Sequence, residues 1–163
     1  MQRVLAYIII SLALLVLQTS LVSYLAISNI VPDVMLLWVV YIAIREGQAA
    51  GTIAGFGAGL LLDFLSGTNG MLGLSALSKT VAGFAAGYFY NENKTLQTLG
   101  SYQFVIAVTV TSLLHNVIYF LIFLQGTDVG WWGAVLRYGI PTTVYTAAFS
   151  LLPVFAYARR YLS

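Results

Sequence analysis

The 163-residue chain contains no cysteine, a single histidine and very little charge: 7% of its residues are Asp, Glu, Lys or Arg. Without cysteine there is no disulfide framework, no thiolate chemistry and no Cys-type metal site. His115, the one histidine, cannot build a metal centre by itself. A soluble domain carries about 25% charged residues, so a chain this poor in charge has no surface suited to water. The formal net charge is +2, and no basic run suggests nucleic acid. What the chain has in quantity is apolar residues, 60% of the total, with a mean hydropathy of +0.91. It reads as an all-α polytopic membrane protein of one domain, residues 1–163.

A helix needs about 20 apolar residues to cross the hydrocarbon core. Val4 to Ser28 is the first candidate, and its length excludes the ~7–15-residue core of a signal peptide despite the small residues at its end. The second opens at Pro32-Asp33 and closes before Arg45-Glu46. It is short, and it starts as a helix should, with proline in the first turn and a carboxylate at the positive end. The third runs from about Ala49 to Leu65 and the fourth from about Leu72 to Tyr90, with a turn predicted over Ser66–Gly70 between them. The fifth covers about Leu99 to Leu124, and the sixth about Trp131 to Tyr157.

Six spans put Arg3, Arg45, Lys94, Arg159 and Arg160 on one side, while the opposite connections hold only Asp33 and Asp128. The positive-inside rule then predicts cytoplasmic termini. Trp131 and Trp132 suit the outer interface, and Tyr88, Tyr90, Tyr157 and Tyr161 the inner one.

Two helices carry small residues at four-residue spacing. Gly51, Gly55 and Gly59 lead to Asp63 on the third, and Lys79 is followed by Gly83 and Gly87 on the fourth. Such faces let membrane helices approach closely. Asp63 and Lys79 are therefore expected to face each other across an antiparallel hairpin, because an unpaired charge in hydrocarbon is costly. Arg137 on the last helix, four residues before Pro141, and His115 and Asn116 on the fifth are expected to complete a buried polar cluster in the outward half of the bundle. Such a cluster reads either as a salt-bridge network that fixes register or as a ligand or partner-peptide site. Gly55-Phe56-Gly57-Ala58-Gly59 lies inside a membrane helix, which removes any phosphate-loop reading. No nucleophile–base pair, two-histidine motif or carboxylate dyad points to an enzyme or a cofactor.

The segments "VPDVMLLWVVYIAIREG" and "AAGTIAGFGAGLLLDFLSGTNGMLGLSALSKTVAGFAAGYF" resemble the MreD family of rod shape-determining proteins. Pro32, Asp33, Gly55, Gly59, Asp63, Gly73 and Leu74 occupy the motif positions; Lys79 and Arg137 are physical inferences outside the motif. The resemblance implies a non-catalytic component of the bacterial inner membrane, acting with the bitopic protein MreC, with MreB filaments, with RodA and with its penicillin-binding transpeptidase partner. It also implies a fold similar to the six-helix S component of energy-coupling-factor vitamin transporters. A transporter S component is the rival function. The first helix lacks the Ala-xxx-Ala docking pattern such a protein would need, and the outer connections are short. The Pro32-Asp33 opening is expected to present its carboxylate outward to a basic residue of a partner.

Overall fold

The computed structural model describes residues 2–20, 24, 26, 30–66, 71–128 and 130–161, with the side chains of 66 and 158–161 left aside. The predicted Ser66–Gly70 turn and the end of the first span, including Ala26-Ile27-Ser28, fall largely outside those residues. Among the described residues all the regular elements are helical and there is no strand. Its helices are α1 (Gln2–Ser20), α2 (Val34–Glu46), α3 (Gln48–Ser66), α4 (Leu74–Ala86), α5 (Thr95–Leu99), α6 (Tyr102–Phe123), α7 (Trp131–Ala134) and α8 (Ile140–Tyr161). A 3₁₀ turn, Gly87–Phe89, extends α4, and a π turn, Val135–Gly139, joins α7 to α8.

Among the described residues four segments are long and apolar enough to cross a membrane: Gln2–Ser20, Gln48–Leu65, Tyr102–Phe123 and Trp131–Tyr157. The other two expected spans form as helices of 13 residues each, α2 and α4. At ~1.5 Å per residue each reaches about 20 Å, short of the ~30 Å hydrocarbon core. The expected fifth span forms as α6, starting at Tyr102 instead of about Leu99. Gly100 ends α5, and Ser101 starts α6 by accepting a 3.3 Å hydrogen bond from the Gln103 amide.

α2 lies at the centre of the bundle and packs against α1, α3, α4, α6 and α8. Met35, Leu36, Val39 and Val40 are fully buried, and Tyr41 to Ile44 continue the burial. Such a helix, apolar all round, is the expected occupant of a core. Its ends are pinned by polar groups. At the C-terminal end Arg45 donates to the Tyr41 hydroxyl and Tyr7 donates to Glu46.

The most extensive helix pair is α3 with α4. A Cβ on Gly55 would strike the Lys79 carbonyl, one on Gly59 the backbone of Ser75 and Ala76, and one on Gly51 Ala43 and the Gly83 carbonyl. From the other side, Gly83 meets the Gly51 carbonyl and Gly87 meets Gln48. The spacing of small residues on both helices thus allows backbone-to-backbone packing, the contact that lipid cannot match. Gly57, off this face, has open space beside it.

Candidate functional site

The site is built on the N-terminus of α2. Pro32 is buried, and Asp33 caps the helix: its Oδ1 accepts a 2.8 Å hydrogen bond from the Leu36 amide. The Gln18 side chain of α1 grips the same turn twice, donating to the Pro32 carbonyl at 3.2 Å and accepting from the Val34 amide at 2.9 Å. The Asp33 amide donates to the Thr146 hydroxyl of α8 at 2.9 Å. Helices from both ends of the chain therefore hold one turn in place.

The second oxygen of the same carboxylate, Oδ2, forms an ion pair with Lys79 Nζ of α4. His115 Nε2 of α6 lies 3.6 Å from that oxygen. The Lys79 side chain is 3% exposed and that of Asp33 14%. A pair this deep satisfies its own charges, and losing either partner strands the other.

Asp63 is fully buried and does not meet Lys79. It accepts hydrogen bonds from the amides of Gly73 at 3.0 Å, Ser75 at 3.1 Å and Ala76 at 3.1 Å. The expected Asp63–Lys79 pairing is therefore replaced by two separate arrangements. Asp63 is answered by the unpaired N–H groups and positive end of α4, and Lys79 by Asp33. Gly73 closes the Asp63 arrangement. Its φ of +98° is a left-handed conformation open to glycine at little cost, and it turns the chain so that the amides of Gly73, Ser75 and Ala76 converge. Leu74, the neighbouring motif residue, is buried in the core.

Asn116 lies beside His115 and crosslinks α6 to α8. Its Nδ2 donates to the carbonyls of Ser112 at 2.9 Å and Gly139 at 3.3 Å, and to the Thr143 hydroxyl at 3.2 Å. His115 Nδ1 is buried without a hydrogen-bond partner among the described residues. Arg137 does not join the cluster. It is exposed, with its guanidinium 5.7 Å from the centre of the Tyr138 ring. The π turn explains the difference. The Ile140 amide bonds to the Val135 carbonyl, five residues back, which accommodates Pro141 and turns Arg137 off the inward face.

Asp33 was expected to face outward toward a partner; it turns inward instead and is the hub of the cluster. Gln18, Thr143 and Thr146 were missed. Each is a polar residue inside an apolar run, which was the available signal. Among the described residues no three His, Asp or Glu side chains converge as metal ligands. The carboxylates are committed to an ammonium and to backbone amides, an arrangement that holds helices together.

No curated protein and no solved structure matches the chain. The sequence profile of one family does, that of rod shape-determining protein MreD, over residues 1–160. The chain belongs to the MreD family.

Proposed function

We propose that this membrane protein of rod-shape determination is a non-catalytic component of the bacterial inner membrane that partners an MreC-like bitopic protein and so organises lateral peptidoglycan synthesis. Through that partner it would act with RodA, its penicillin-binding transpeptidase and MreB filaments. The observation that carries the reading is family membership along almost the whole chain. The site agrees with it, because its ionisable side chains are spent on joining α2, α3, α4 and α6. In this reading α2 and α4 also lie in the bilayer, giving six spans with both termini cytoplasmic. The burial of α2 among longer helices and the positions of the basic residues support this.

One observation favours a second reading, an S component of a vitamin transporter: a cavity of about 450 Å³ beside Asp33 and His115. Co-expression separates the two. A complex with the MreC-like protein, stable in mild detergent, is expected. A chain that is monodisperse alone, ignores MreC and retains a vitamin through purification would transfer the assignment to transport.

A further inference from the structure

The ion pairs of the described residues engage Arg45, Lys79 and His115, and leave the Lys94 ammonium without a carboxylate. A tight turn fixes Lys94 where it stands. Its amide donates to the Asn91 carbonyl at 3.0 Å, and the Asn93 amide donates to Asn91 Oδ1 at 3.2 Å. Its own carbonyl accepts the Thr98 hydroxyl of α5 at 3.1 Å. The turn sets Lys94 on the wall of a cavity of about 350 Å³. Tyr88, Tyr90 and Asn91, from the stretch that follows α4, and Gln103 of α6 line it as well. Among the described residues no Asp or Glu does; Glu92, on the same turn, is exposed and outside the lining. One cation, several uncharged donors and no carboxylate are surroundings that suit an anion.

Position narrows the choice of anion. Gln103 is the second residue of α6, a 22-residue helix long and apolar enough to cross a membrane. The cavity therefore lies at the end of a span, at the level of lipid headgroups. Tyr88 and Tyr102 beside it are exposed, as tyrosines of an interfacial belt are. Tyr102, Ile106, Val110 and Leu113 are all exposed and share one face of α6, which runs from the cavity toward the middle of the bilayer. An anion that carries an acyl chain is matched at both ends by this arrangement. A soluble anion, or an acidic protein segment in water, would leave the apolar face unused.

We propose that the cavity at Lys94 binds the phosphate of an anionic phospholipid, whose acyl chain lies along the Tyr102–Leu113 face of α6. A lipid whose headgroup carries its own ammonium, as phosphatidylethanolamine does, brings no net charge and gains less from Lys94. The site is separate from the partner reading above, and the two stand or fall independently.

The test reconstitutes the full chain in vesicles of phosphatidylglycerol and phosphatidylethanolamine in equal parts. A photoreactive amino acid replaces Tyr88 at the cavity or, as a control, Val144 on an exposed face of α8. Adducts at 144 are expected to follow the vesicle composition. Those at 88 should be enriched about fivefold in phosphatidylglycerol, the ~1 kcal/mol of one basic residue at an anionic surface. Lys94→Gln should bring position 88 down to the ratio at 144, while Lys94→Arg keeps the enrichment. Lys94 is exposed, so neither change should disturb the fold. Equal ratios at 88 and 144, enrichment that survives Lys94→Gln, or enrichment lost in Lys94→Arg as well would overturn the proposal. In native membranes the adduct at 88 should again be lipid. Capture of a protein segment there, or no adduct, would overturn it too.

Discussion

The backbone carbonyl of Lys79 fills the space where a Cβ of Gly55 would be. The same residue that sends its ammonium to Asp33 thus lends its main chain to the glycine face of α3. Packing and charge are joined at one position of α4.

Gly55→Ala should therefore be damaging out of proportion to one methyl group. Overpacking typically costs about 1–3 kcal/mol, and here the obstacle is backbone. Gly57→Ala, with open space around it, should leave stability unchanged or raise it slightly. Thermal denaturation in detergent compares the two; equal effects would remove close α3–α4 packing as the explanation.

Asp33→Leu and Lys79→Met should each destabilise by about 3–5 kcal/mol, because each strands a buried charge. The double variant should recover much of the loss. Asp63→Leu combined with Lys79→Met should be additive within about 0.5 kcal/mol, as for groups with no shared partner. Coupling of Lys79 to Asp63 instead of Asp33 in such a cycle would refute the arrangement described here.

Asp63→Leu leaves three amides at the start of α4 without their acceptor. Amide hydrogen exchange at Ser75 and Ala76 should quicken markedly, with the rest of α4 less affected. Asp63→Asn keeps an accepting oxygen and should lie between the variant and the parent. Uniform exchange across α4 in all three proteins would count against the cap.

The six-span reading predicts sidedness. Single cysteines at Asn69 and Thr127 in intact spheroplasts should react with an impermeant thiol reagent, and one at Asn93 should not. The opposite pattern reverses the topology.

Much of this was legible from spacing. Gly51, Gly55, Gly59, Gly83 and Gly87 marked their faces because close backbone approach admits almost nothing but glycine. His115, Asn116 and Lys79 marked the cluster because polar side chains in apolar helices must turn inward. The pairing of charges was not legible. Two isolated ions of opposite sign look like partners, yet a carboxylate is equally well served by the free amides of a helix start. Asp63 has three of these ten to thirteen residues further on. Asp33 at the start of a span reads as a carboxylate presented outward to a partner, but one oxygen caps α2 and the other is held inside by Lys79. Arg137 was misplaced because a helical wheel assumes constant pitch, and the π turn breaks it.

The division of labour at Asp33, one oxygen for its own helix and the other for Lys79, has a consequence for biosynthesis. The two residues are 46 positions apart, so α2 leaves the ribosome before α4, which carries its counter-ion, has emerged. During that interval the carboxylate has the Leu36 amide and no cation, which holds the start of α2 toward water. Seating of α2 in the bundle then waits for α4, and the hairpin of α3 and α4 is the step that draws it in. Nascent chains arrested before α4 has cleared the ribosome should leave a cysteine at Val34 open to a water-soluble reagent, and released full-length chains should protect it; protection in both would rule out this order.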